Sequence, residues 1–185
     1  PGLSAAERLM GWNTLEVLAL GAGSAERPIN AIPPRAVAHC QLRFVPGTPW
    51  ERLEDIVREH LASEGFAQVQ VKVTAGTPAT RLPLDSPWVD WCLSSIERTT
   101  GQAPTLLPNL AGSLPNDVFA QILGMPTLWI PHSYPACSQH APNEHLLAPV
   151  MREGLLMMTG LFWDLGEPRS APWCAPRSDA APVTA

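Results

Sequence analysis

Two histidines and a carboxylate come together in the segment Gln139–His145, which reads Gln-His-Ala-Pro-Asn-Glu-His. A neutral imidazole can bind a metal ion through its lone pair, and a nearby carboxylate or carbonyl can orient its ring. His140 and His145 are five residues apart, so on one helix their side chains would point about 140° apart. This spacing excludes the paired face of a His-Glu-x-x-His zinc site. From spacing alone, a surface histidine beside a helix start, with Glu144 interacting with the helix dipole, is the commoner arrangement.

The segment His140–Glu144 resembles the C-terminal metal-ligand motif of a family of dinuclear zinc amidohydrolases and metallopeptidases. That family includes carnosinases, aminoacylase, acetylornithine deacetylase, succinyl-diaminopimelate desuccinylase and the glutamate carboxypeptidases. Two upstream segments resemble further family motifs in the expected order. Residues 30–33 and 41–46 resemble the signature of the lid domain, and Gly112–Pro115 resembles the loop that binds the substrate carboxylate.

The resemblance implies a role for five residues. His140 would bind one of two zinc ions, or of two other divalent metals, which hold a bridging water and polarise the scissile carbonyl. Glu144 would support that ligand without binding metal itself. Arg43 would grip the substrate carboxylate through two hydrogen bonds, and the main-chain N–H groups of Gly112 and Ser113 would bind the same carboxylate. Without the resemblance, Arg43 would be interpreted as a solvated surface arginine. Gly112 and Ser113 would be interpreted as a plain turn in which Ser113 is the N-cap of the next helix.

The family's other catalytic groups are not recognisable in residues 1–185. Missing are an upstream His-x-Asp, a bridging Asp, a Glu-Glu pair with the general base, a further carboxylate ligand and the lid histidine that stabilises the oxyanion. We therefore expect the C-terminal fragment of a zinc-dependent enzyme that hydrolyses a dipeptide or an N-acyl amino acid with a free carboxylate, and we expect the fragment alone to be inactive. The alternative is a truncated relative that only binds or dimerises.

For some positions near these motifs, the sequence does not decide what part they take in the site. Ala111 occupies the place of the family's usual first glycine in the carboxylate loop. Cys137 precedes His140 by three residues and could pair with it at a metal, although a small buried hydrophobe is commoner. Residues 132–134, His-Ser-Tyr, could also line the site.

Composition and charge exclude several function classes. A net charge of −5 and a pI near 5.5 argue against a nucleic-acid surface, and no apolar stretch reaches the roughly 20 residues of a membrane span. The four scattered cysteines lack a Cys-x-x-Cys pair, which indicates free thiols in a reducing compartment and a cytoplasmic location. The first residues have no signal-peptide pattern and no initiator Met, which favours a fragment.

The hydrophobic pattern predicts a partial α+β region over residues 1–76, an α/β region over 77–166 and a disordered tail over 167–185. By resemblance, the first region is a ferredoxin-like lid that forms a homodimer, and the second is the C-terminal part of the catalytic domain. The elements predicted in the lid are a helix over 3–11, strands over 14–20, 35–45 and 69–73, and a helix with Thr48 as N-cap and Glu51 completing a capping box. Those predicted in the second region are strands over 105–107 and 127–130 and helices from Ser86 to Gly101, over 116–123 and over 145–165, the last buried on nearly all sides.

Overall fold

A computed structural model describes residues 2–110, 112–168 and 170–174 of the chain, except for the side chain of Cys174. The chain divides into two compact units. The first unit contains the residues up to 81 together with 108–125, and the second contains 82–107 together with the residues from 126 onward. Within the part of the chain that is described, no helix is both long enough and apolar enough to cross a membrane.

The first unit begins with a short helix and a pair of strands. Ser4 caps helix α1, Ala5–Gly11, in a reciprocal capping box with Glu7. Strands β1, Thr14–Ala22, and β2, Ala36–Arg43, then pair in antiparallel register, with an irregularity between Val17 and Ala19. These two strands confirm the strands predicted over 14–20 and 35–45, and they form the one sheet that the described residues contain.

Helix α2, Leu53–Ser63, does not begin in the predicted way. A 3₁₀ turn, Trp50–Arg52, precedes it, and no side chain caps either start. The Thr48 hydroxyl instead hydrogen-bonds with the side chain of Asn13, at 3.3–3.4 Å. Asn13 also accepts a hydrogen bond from the Val45 N–H at 2.9 Å. The predicted capping box at Thr48 is therefore wrong, because Asn13 engages the hydroxyl that would have capped the helix.

Three predicted strands are absent from the described residues. Segments 69–73, 105–107 and 127–130 run without strand pairing, and Val73 donates its N–H to the Glu54 carboxylate, at 3.0 Å, instead of to a neighbouring strand. Predicted helix 116–123 contains a π-helix, Val118–Ile122. The chain is thus mixed α and β, while the ferredoxin-like lid and the α/β sheet of the second region stay predictions, as do the domain limits 1–76 and 77–166.

The second unit is built on two helices, α3 (Pro87–Thr100) and α4 (Ala148–Gly166). Ser86 and Pro87 start α3, and Gly101 ends it in the left-handed conformation with φ 72°, as the sequence predicts. Cys92 and Ile96 of α3 form a core with Leu161 of α4. Partly buried hydrophobic residues pack on that core: Trp91, Leu128, Ile130, Met157 and Met158.

The two helices approach most closely at Gly160. A Cβ added to this glycine would overlap the side chain of Thr99, lying 2.8 Å from its Cγ2. One turn further along α4, Asp164 forms an ion pair with Arg98 at 2.6 Å. The hydroxyl of Ser95, which is fully buried, and the Arg98 guanidinium hold the pKa of Asp164 below its ordinary value.

Helix α4 is not buried on nearly all sides, so that prediction is wrong. Leu155, Phe162 and Trp163 are 68–71% exposed, because α3, the chain near Leu128 and His132 cover other parts of the helix. In the segment predicted as a disordered tail, Ala171 is buried and the Trp173 ring lies 4.9 Å from that of Trp88. Residues 169 and 175–185 lie outside the described residues.

Candidate functional site

The loop between Ile130 and α4 carries the histidine motif, and its backbone is unusual. His140 and Asn143 both have positive φ, 62°, and Ser138 has φ 57°. A positive φ is uncommon for any residue except glycine and costs roughly 1–3 kcal/mol. A hydrogen bond from the His145 N–H to the Cys137 carbonyl, at 3.0 Å, closes this loop, and one from Ala141 to Ser138, at 2.9 Å, forms a turn within it.

Glu144 contacts His140 through the main chain. The His140 N–H donates to the Glu144 carboxylate at 3.2 Å, and the Glu144 N–H donates to the Ala141 carbonyl at 3.3 Å. Both side chains are exposed. The carboxylate therefore holds the turn that carries His140 but does not touch the imidazole in this structure, and the metal-ligand role of His140 stays a prediction.

His145 does not lie on a helix, which corrects the expectation that the helix begins there. Leu147 is the N-cap of α4, so His145 ends the loop. Its Nδ1 lies 2.9 Å from the Asn143 carbonyl, and its ring packs edge-on to Tyr134 with centroids 6.0 Å apart. The physical reason is Pro149, which fits the first turn of a helix but not its interior.

Cys137 and Tyr134 anchor the loop. Cys137 is 4% exposed, so the structure confirms a buried hydrophobe here. The Tyr134 hydroxyl is buried without a hydrogen-bond partner among the described residues. Burial and the nearby Cys137 raise the pKa of this phenol.

His132 packs directly on α4. A Cβ at Gly154 would lie 2.7 Å from its Nδ1, so only glycine leaves room for this ring. Sequence reasoning placed His132 near the site without a role and did not single out Gly154. The available signal was a glycine inside a long apolar helix, where glycine costs about 1 kcal/mol.

A cavity of about 300 Å³ opens within this loop. Its walls are His132, Ser133, Cys137, Glu144, His145 and Leu146. All six residues belong to the second unit. We call this space the loop cavity.

The described residues do not form a complete metal site. No group of three or more His, Cys, Asp or Glu side chains among them could hold a metal ion. The chemistry of the motif allows His140 to serve as one ligand, but the residues described do not supply the others. A zinc pair would need donors beyond those that the described part of this chain brings together.

The predicted carboxylate grip lies in the first unit. Arg43 ends β2 opposite Thr14 and is exposed, and Gly112 and Ser113 are exposed residues of a segment without regular secondary structure before the π-helix. His140 belongs to the second unit, so the expectation that Ser113 and His140 share one cleft stays a prediction. Ala111 lies outside the described residues.

Comparisons with known proteins bear on the fold. No family description matches the sequence, and no curated protein matches it. Among solved structures, the crystal structure of the M20 family metallo-carboxypeptidase Sso-CP2 from Sulfolobus solfataricus is similar, with a TM-score of 0.67 and 24% sequence identity. The match covers 83% of this chain and 36% of that enzyme.

The chain has the fold of one part of that enzyme. At this identity the likeness concerns the fold and not the activity. It agrees with the motif resemblance at the coarse level of a metallopeptidase-like fold. The chain spans about a third of the length of the structure that it matches, so activity, substrate and partners are matters of proposal.

Proposed function

We propose that this chain is the C-terminal part of a zinc-dependent hydrolase that cleaves the amide bond of a dipeptide or an N-acyl amino acid with a free carboxylate. The observation that carries the proposal is the His140 turn. An exposed histidine in a conformation that disfavours it, held by Glu144 through its own N–H, occurs in a chain with the fold of a metallo-carboxypeptidase segment. Backbone strain of this kind is concentrated at functional sites.

His140 is proposed as one metal ligand and Glu144 as the residue that fixes its turn. When bound, zinc or another divalent metal would activate water and polarise the scissile carbonyl. Because the described residues supply no complete site, we assign this chain no catalytic step and expect it to be inactive alone. The remaining ligands and the general base would come from other parts of a longer protein.

The substrate class follows from the proposed carboxylate grip. Arg43 is exposed at the end of β2, where its guanidinium could bind a free carboxylate with two hydrogen bonds. Gly112 and Ser113 are exposed residues outside regular secondary structure, where main-chain N–H groups could bind the same anion. A homodimer formed through residues 1–76 and a cytoplasmic location are part of the proposal.

The test compares two histidines in the full-length protein. His140→Ala should lower bound zinc from two ions toward one and remove most turnover, while His145→Ala should leave zinc unchanged because its ring contacts Asn143 and Tyr134. Metal content by mass spectrometry and dipeptide hydrolysis are the measurements.

Equal zinc content in wild type and His140→Ala would show that His140 is a surface histidine and not a metal ligand. A full-length protein without zinc and without hydrolysis would favour the alternative, a module that only binds or dimerises.

A further inference from the structure

We propose that the loop cavity binds an uncharged, mainly apolar group, namely a side chain of the amide substrate, and disfavours anionic side chains. The identity of the ligand as a substrate group rests on the proposed function. The chemical preference rests on the cavity walls alone.

The size of the cavity limits its occupant. At about 300 Å³ it is at the small end of pockets that hold organic ligands. Such a volume suits a single amino-acid side chain rather than a whole peptide. The cavity is therefore a subsite and not a complete substrate site.

The walls select for uncharged groups. Leu146 and buried Cys137 contribute apolar surface, and the hydroxyl of Ser133 and two imidazoles provide hydrogen-bonding atoms. Among the described residues, Glu144 is the one acidic residue of the wall, and no Lys or Arg lines the space. An anionic side chain would face the Glu144 carboxylate without a compensating positive charge, and this repulsion lowers its affinity.

Glu144 also connects the cavity to the proposed ligand. Glu144 is a residue of the cavity wall, and its carboxylate accepts the hydrogen bond from the His140 N–H at 3.2 Å. The side chain of Glu144 would thus connect a group in the loop cavity to the His140 turn. This places the proposed subsite beside the proposed metal ligand, within the second unit.

The chain itself can be tested with two matched probes. N-acetyl-L-leucinamide presents an apolar side chain, and N-acetyl-L-aspartic acid α-amide presents a carboxylate on the same neutral backbone. Titration into residues 1–185, followed by the ring resonances of His132 and His145, should give saturable shifts with the leucine probe and at least about tenfold weaker binding of the aspartate probe. Glu144→Gln, which keeps the acceptor for the His140 N–H, should reduce that difference.

Two neighbouring leucines provide the control. Leu146 lines the cavity and Leu147 does not, yet they are 50% and 47% exposed. Leu146→Ala should weaken binding of the leucine probe about fivefold or more, and Leu147→Ala should change it less than about twofold.

Three results would overturn the proposal: no saturable shift at His132 or His145, equal affinity for both probes, or equal effects of the two leucine substitutions. Selective binding in a protein whose full-length form shows no hydrolysis would contradict the proposed function alone. Hydrolysis by the full-length protein without selective binding would contradict this inference alone.

Discussion

Every residue of β1 is exposed, whereas α3 buries four of its residues: Val89, Cys92, Ser95 and Ile96. In the first unit, main-chain hydrogen bonds between two strands and the polar contacts of Asn13 hold the structure. In the second, a helix pair meets closely at Gly160 and encloses a small core. The comparison teaches that the stability of this chain is concentrated in the second unit, which also carries the His140 turn.

The largest loss of stability is expected from Gly160→Ala in the second unit. The new methyl group would overlap Thr99, and overpacking of this kind costs about 2–3 kcal/mol of unfolding free energy. Urea denaturation followed by tryptophan fluorescence measures the change. Gly166→Ala is the control in the same helix, because a Cβ there meets nothing within 4 Å.

Adding Thr99→Ala to Gly160→Ala should restore part of the loss, because it removes the two Thr99 atoms nearest the new methyl group but leaves the Thr99 Cβ at 2.9 Å. If Gly160→Ala and Gly166→Ala unfold at the same urea concentration, the close helix approach does not exist in solution.

A smaller effect is expected from Asp164→Asn, about 1 kcal/mol at pH 7, because its partner Arg98 is 57% exposed and screened by solvent. The pKa of Asp164 is lowered in the folded chain. Its contribution is therefore fully present above the ordinary Asp pKa of 3.8 and is lost as the pH falls through the lowered folded value.

Unfolding free energies of wild type and Asp164→Asn should differ at pH 7 and converge below that folded pKa. Exposed Asp85 is the matched control. The difference in unfolding free energy between wild type and Asp85→Asn should not change with pH in this way. A constant gap between wild type and Asp164→Asn at all pH values would contradict the assignment.

In the first unit, Asn13→Ala should cost about 0.5–1 kcal/mol, because its side chain accepts from the Val45 N–H and contacts Thr48 in an exposed setting. Hydrogen exchange measures the result directly. The Val45 amide should exchange faster, while amides of α3 should keep their rates. Unchanged exchange at the Val45 amide would contradict the role of Asn13, and faster exchange throughout would show that the two units are not separate in stability.

The smallest effect is expected at β1. Leu20 is 74% exposed, so Leu20→Ser should change the unfolding free energy by about 0.5 kcal/mol or less. Chemical denaturation at two protein concentrations is the measurement. A loss above about 1.5 kcal/mol that grows with concentration would mean that another copy covers the strand.

Local sequence signals predicted those parts of the fold that depend on residues close together in the chain. Ser86, Pro87 and Gly101 determine the ends of α3 through contacts within a few residues, and all three positions agree with the structure. Segment 69–73 alternates like a strand, but a strand forms only beside a partner, and the last residue of the segment, Val73, donates its N–H to Glu54 instead. Pairing of this kind depends on the rest of the fold, which a local pattern does not contain.

The candidate site was predictable to a similar degree. The motif pointed to His140 and Glu144, whose roles in a site stay predictions, but it did not reveal that their contact runs through a main-chain N–H. Nor did it reveal that His132 fits against Gly154. Both depend on the path of a loop between its anchors, and that path is decided by packing against α4.

The positive φ of His140 opposes the stability of the chain to the metal-ligand role proposed for this residue. Glycine would adopt φ 62° without strain, so His140→Gly should leave the chain as stable as wild type or more so. The chain instead carries a residue that the backbone disfavours, and the imidazole is what glycine could not supply. A variant selected only for thermal stability should therefore lose this histidine early, and the proposed metal ligand would disappear while the stability of the fold increased.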